Sequence, residues 1–165
     1  MTVFSRSFVA AFFLFMVFFL SSCSADSHVR GWQPLDLLPY GVAVSVLAPP
    51  AAVVKTGNLK SALVSDLTIK GGSDYSIQLF YGPAITNDIA RLKNEHMENV
   101  RGNRYFNKIV KEEVAGFIYE SVIDSIATYG FRFVKLQGDQ ELNFQTGLGA
   151  LFTLEDVQLM YEAVK

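Results

Sequence analysis

Chemistry needs reactive side chains within reach of one another, and this 165-residue chain offers few of them. Its histidines are His28 and His96, and its one cysteine is Cys23. A serine or cysteine nucleophile needs a base to take its proton, most often an imidazole. No G-x-S-x-G elbow occurs, and His28 lies in the polar stretch "SADSHVRGWQP", where solvation is the simpler role. His96 falls on or beside the apolar stripe of a helical segment. No second His or Cys stands four residues from it, so a zinc site is not supported. Paired carboxylates are another hydrolytic device, working as acid and base or nucleophile across a glycosidic bond. Glu112, Glu113, Glu120 and Asp124 are the candidates, and they are spaced like solvated strand positions. "GLGALF" has two glycines but lacks the Lys-Ser/Thr pair of a phosphate loop, and "KGGSDYS" lacks the acidic spacing of a calcium loop. Arg101, Arg104, Lys108 and Lys111 form the one basic cluster, interleaved with Tyr105 and Phe106. Strand alternation sets Arg104 and Lys108 on one face with Phe106, and Lys111 on the other. A solvated face accounts for this pattern; a weak anion or partner contact is the alternative. The expectation is a chain without catalytic residues, metal or cofactor.

The elements that would carry these residues are legible from their periods. "VAVSVL" at 42–47 alternates Val42, Val44 and Val46 on one face, and Pro49 and Pro50 end it. "AVVKT" is a short strand. "DLTIK" (66–70) and "YSIQLFY" (75–81) flank "GGSD", a four-residue hairpin loop. In the second of these, Tyr75, Ile77, Leu79 and Tyr81 share a face, with Ser76, Gln78 and Phe80 on the other. "ITNDIARLKNEHMEN" then changes to helical spacing through Ile85, Ile89, Leu92 and His96 or Met97, with Thr86 or Asn87 as cap. "NRYFNKIVKEE", "GFIYESVI", "FRFVKLQ" and "ELNFQT" read as four further strands, turned at "VAG", around "TYG" and at "GDQ". Gly147 and Gly149 loosen the chain before "TLEDVQLMYEAVK", a closing helix capped by Thr153 with Asp156 at the capping-box position. Its buried stripe is Val157, Met160, Tyr161 and Val164. The class expected is α+β, an antiparallel sheet of about seven or eight strands with two helices, in a single domain over 35–165.

The N-terminus follows a different plan. Arg6 precedes an apolar run of 13 residues, Phe8 to Leu20, and small residues follow it, the order of an export signal. A membrane-crossing helix needs about 17–25 apolar residues, so the run is short for a span. Leu20-Ser21-Ser22-Cys23 resembles the bacterial lipobox. That resemblance implies diacylglyceryl transfer to the Cys23 thiol and cleavage before it, leaving 1–22 as signal peptide and 23–34 as a lipidated tether. Cleavage after Ala25, as in ordinary secretion, would instead discard the cysteine. Two or three acyl chains make a lasting anchor where one does not. Ser24 resembles the residue that permits sorting to an outer membrane, which sets the expected address of this periplasm-facing lipoprotein where the cell has one. The 11 residues 24–34 reach at most about 36 Å from the bilayer.

With the signal removed, 13 Lys and Arg face 16 Asp and Glu, a net formal charge of −3 that points to no nucleic-acid partner. The order of elements over 41–165 resembles the PsbP-like α+β fold: "VSVLAPP" ending a strand in proline, a hairpin, a helix, a strand run, and a closing helix after "FQTGL". This resemblance implies a non-catalytic module that docks on or stabilises a larger assembly. The expected partners are thus the membrane, through the lipid, and an envelope protein of unassigned identity. Alternatives are a small-ligand carrier with an apolar pocket and an unusual envelope hydrolase. Metabolic labelling with a fatty-acid analogue should tag the protein, and Cys23→Ala should abolish the tag; a mature N-terminus at Asp26 would contradict the lipobox reading.

Overall fold

The structure is a computed structural model that describes residues 31–57 and 63–165; the stretch expected to be an export signal, Cys23 and His28 lie outside the described residues. In chain order it contains β1 (Gln33–Asp36), a 3-10 turn (Leu38–Tyr40), β2 (Ser45–Ala48), β3 (Val53–Thr56), β4 (Ser65–Lys70), β5 (Ser76–Pro83) and α1 (Ile89–Arg101). Then follow β6 (Phe106–Glu112), β7 (Gly116–Ile123), β8 (Ile126–Gln137), β9 (Gln140–Thr146) and α2 (Leu154–Ala163). The fold is α+β: a fully antiparallel seven-stranded sheet of order β3-β4-β5-β9-β8-β7-β6, a separate β1-β2 ribbon, and two helices among the described residues.

Period-two alternation gives the sheet two unlike faces. Tyr75, Ile77 and Leu79 are fully buried on one side, as are Leu142 and Phe144 of β9, and the register sets Leu79 opposite Phe144. α2 covers that face with Val157, Met160, Tyr161 and Val164, all fully buried. Phe131 and Phe133 of β8 meet the Tyr161 ring edge-on, with centroids 5.9 and 5.5 Å away. The helix starts where the sequence places it: the Thr153 backbone N–H donates to the Asp156 carboxylate (3.1 Å), and Thr153 Oγ1 accepts from the Asp156 N–H (3.2 Å). The β1-β2 ribbon extends the same layer, burying Val46 and Ala48. Trp32 packs edge-on to Tyr75 at 4.8 Å and Gln33 and Pro34 pair with β2, so these three residues, expected in the tether, belong to the packed body.

The opposite face is polar and carries α1. Met97 and Val100 meet Phe117 there in a second, smaller cluster. Asp88 caps this helix, accepting from the Arg91 N–H at 3.0 Å; Thr86, expected as a cap with Asn87, instead accepts from the Asp88 N–H one step earlier. Ile85, expected on the stripe, precedes the helix and is exposed.

Three other sequence expectations change. "TYG" (128–130) is not a turn but lies inside the 12-residue β8. Asp124 and Ser125 make the turn, both with positive φ (50° and 68°), as a two-residue hairpin of the primed type requires. Gly130 is there for space: a Cβ would stand 2.5 Å from the Tyr119 ring. The strand of "VAVSVL" begins at Ser45, because the Leu37 N–H bonds to the Val44 carbonyl and the Val44 N–H folds back to Val42. β6 carries register shifts between Phe106 and Lys108 and between Ile109 and Lys111, so simple alternation fails along the basic cluster.

Backbone itself comes close at Gly116, where a Cβ would lie 2.6 Å from the Arg132 carbonyl oxygen and 2.8 Å from the Tyr161 hydroxyl. Gly116→Ala should cost about 1–3 kcal/mol by urea unfolding. At Gly102 the nearest contact is an ordinary 3.5 Å, and Gly102→Ala should change stability by under about 0.5 kcal/mol.

Candidate functional site

On the α1 face, polar side chains cross four neighbouring strands. Asp66 of β4 accepts from Gln78 of β5 (3.5 Å), and Gln78 accepts from Gln145 of β9 (3.1 Å). Gln145 is paired in register with Arg132 of β8. Asp66 and Gln145 are buried, so the row is in part a desolvated network rather than a wetted surface.

Arg132 and Gln145 are also the last partners before β8 and β9 part. Beyond them Gly147 turns toward β5, its N–H donating to the Ser76 carbonyl at 2.7 Å; a Cβ there would stand 2.0 Å from Ser76 Oγ. The chain then returns, and Phe152 closes on β8: its carbonyl accepts from the Tyr129 N–H (3.1 Å), and its own N–H donates to Thr128 Oγ1 (3.1 Å). Between the diverging strands lies a cleft of about 300 Å³, walled by the end of α1 (Asn99, Val100), by Tyr119 and Ser121 of β7, and by the 147–152 loop. Arg132 lines it. Its Nε is buried without a hydrogen-bond partner, and no side-chain hydrogen bond or ion pair joins its guanidinium to another described residue. Burial pulls Arg132 below its ordinary pKa, with Tyr119 acting in the opposite direction.

His96 occupies a second, smaller pocket of about 190 Å³ between α1 and the β5-β9 pair. Its Nε2 lies 2.9 Å from Glu141 Oε1, and its Nδ1 lies 3.4 Å from the Asn143 amide nitrogen. Asn143 donates to Nδ1 in this geometry, so Nε2–H donates to the carboxylate. Both ring nitrogens are thereby engaged. The other lining residues are Val64, Phe80, Tyr81, Gly82 and Pro83, and the Tyr81 hydroxyl is turned to the Tyr40 carbonyl (3.4 Å).

The four carboxylates singled out by sequence are not brought together. Glu112 is taken by the buried Lys93, and the Lys93 hydrogen bond holds its pKa below the ordinary range. Glu120 is held down by the Asn107 amide first, against its own desolvation, with Tyr129 and Lys108 adding to the effect. Asp124 sits in the β7-β8 turn. Glu113 meets Lys111 (2.8 Å), Lys165 (2.9 Å) and the Tyr161 hydroxyl (3.1 Å), which lower its pKa to about 2. The basic cluster is similarly absorbed: Arg101 pairs with Glu98, Lys108 with Glu120, and Lys111 with Glu113 and Glu162, while Arg104 stacks on Tyr105. Among the described residues no group of three or more His, Cys, Asp or Glu is arranged to hold a metal ion, and no helix is long and apolar enough to cross a membrane.

No protein-family model, curated protein or solved structure matches the chain. Sequence reading passed over Arg132, Gln145, Glu141 and Asn143. The available signal was period two: Glu141, Asn143 and Gln145 alternate with Leu142 and Phe144, and Arg132 interrupts an aromatic strand between Phe131 and Phe133.

Glu113 yields a pH prediction. Its folded pKa lies below the unfolded carboxylate value of about 4.3. Its contribution is therefore full above that value and is lost as pH falls toward 2. Glu113→Gln should lower stability at pH 6, and the gap from wild type should close between about pH 5 and 2 in urea titrations. A gap independent of pH would reject the ion network as its source.

Proposed function

We propose that this chain is a lipid-anchored protein of the bacterial cell envelope, held through Cys23, that acts by binding as an accessory or scaffold module and catalyses no reaction. The cleft where β8 and β9 part carries the reading, because it presents a desolvated guanidinium with no counter-charge among the described residues. A cation placed this way is costly in the absence of a partner, and a recognition site is where such a cost has a use. The His96 pocket supports the non-catalytic half of the proposal: a histidine engaged at both nitrogens, with no serine, threonine or cysteine among the described residues lining its pocket, has no described nucleophile for acyl transfer. The succession of proline-ended strand, hairpin, helix, antiparallel strands and closing helix supports the likeness to PsbP-like docking modules.

A second reading, that of small-ligand carrier, is favoured by the volume of the cleft. At about 300 Å³ it reaches the lower limit of small-molecule sites. Its lining is mixed rather than apolar, which narrows what such a carrier would hold.

The test uses the mature protein extracted from membranes in neutral detergent. It should fractionate with the outer membrane, and it should turn over esterase, phosphatase, peptidase and glycosidase substrates no faster than a heat-denatured control. Turnover that disappears in His96→Ala or Glu120→Gln would overturn the proposal.

A further inference from the structure

We propose that the β8-β9 cleft is a site for a small amphipathic monocarboxylate, its carboxylate paired with Arg132 and its apolar part laid against Leu148 and Leu151. The inference rests on the reading that the protein acts by binding, and adds what it binds.

Charge sets the head group. Arg132 is the only cation lining the cleft among the described residues, and no carboxylate lines it. In the stretches outside them, 1–30 and 58–62, the only acidic residue is Asp26. One half-buried cation matches one negative charge, whereas a phosphate dianion would call for a second cation. The planar guanidinium also presents parallel N–H donors that fit the two oxygens of a carboxylate. Neutral polar groups surround it, with Gln145 in register beside it and Ser121 and Asn99 across the cleft. Arginine stays charged in proteins even where burial lowers its pKa, so among the described residues this charge stays unmatched until an anion offsets it.

Apolar contacts set the rest. Leu148 and Leu151 both line the cleft, yet are 77% and 59% exposed, and Val100 and Ile123 continue the apolar wall inward. Exposed leucines bordering a desolvated cation fit a ligand with a charged end and a hydrocarbon end. Such an acid has two possible sources, the solution and the bilayer to which the domain is tethered.

The experiment follows the Arg132 Nε–H resonance of the full mature protein, assigned through Arg132→Lys, while sodium acetate, hexanoate, hexanamide and inorganic phosphate are added in turn. Hexanoate should bind saturably at one site, at least tenfold more tightly than hexanamide or acetate, with phosphate no tighter than acetate. Hexadecanoate supplied in phosphatidylcholine nanodiscs forms the bilayer arm. A response to it alone assigns the lipid source, a response to hexanoate alone assigns the soluble one, and a response to neither overturns the proposal. Arg132→Met, read by calorimetry, should lose hexanoate affinity at least tenfold while the ligand-free Tm stays level or rises, since an unpaired, half-buried charge has been replaced by hydrocarbon. Leu148→Ser, at an exposed position, should shrink the preference for hexanoate over acetate, and decides the matter even if Arg132→Met fails to fold. Equal binding of hexanoate and hexanamide, tighter phosphate, or undiminished binding in Arg132→Met would each overturn the site. Those results would leave a non-catalytic module standing, whereas enzymatic turnover with hexanoate bound would remove that reading and leave the site.

Discussion

β8 is 12 residues long and β9 only seven, and they pair only from Arg132–Gln145 to Gln137–Gln140. The unmatched half of β8 pairs with β7 along one edge, but its other edge needs partners for its backbone groups. The chain meets that demand by leaving β9 at Gly147, arching over 148–151, and returning Phe152 to Tyr129 and Thr128. Thr153 follows immediately and caps α2. The seat of the closing helix is thus fixed by how β8 completes its hydrogen bonds. The cleft is the space enclosed by the detour.

The same strands separate apolar from polar chemistry. Tyr75, Ile77, Leu79, Leu142 and Phe144 face α2 and vanish from solvent, each large side chain stabilising the fold by about 1.5–3 kcal/mol. The other face gives up that gain for Asp66, Gln78, Asn143, Gln145 and Arg132. Its helix buries Leu92 and, against Phe117, the small cluster of Met97 and Val100. A fold that can rest on one face is free to use the other, and the glycines mark where it does so: Gly130 makes room for Tyr119 and Gly147 for Ser76, both beside the cleft.

Much of this was legible in the sequence. Alternation in "YSIQLFY", the "GGSD" loop and the Thr153–Asp156 box identified β5, its hairpin and α2 because each is a local signal, settled within a few residues. The "TYG" turn was misplaced because a glycine in a strand looks like a bend until its neighbour across the sheet is known, here Tyr119. β1 was missed because Gln33–Asp36 contains a proline and little periodicity, and forms by pairing with β2. The cleft was illegible for a related reason. Its walls come from α1, β7, β8, β9 and a loop, and no spacing along one chain shows that Arg132 lies where two strands diverge.

The central claim is that the protein holds a desolvated arginine to which no described residue supplies a counter-charge. An experimental structure of the protein at a resolution that defines the Arg132 guanidinium tests it most directly. The account predicts that no carboxylate of the same chain lies within about 4 Å of that group, the reach of an ion pair, and that its donors face the cleft bounded by Tyr119 and Leu148. A guanidinium bound to Asp26, or swung out of the cleft to a surface glutamate, would contradict it.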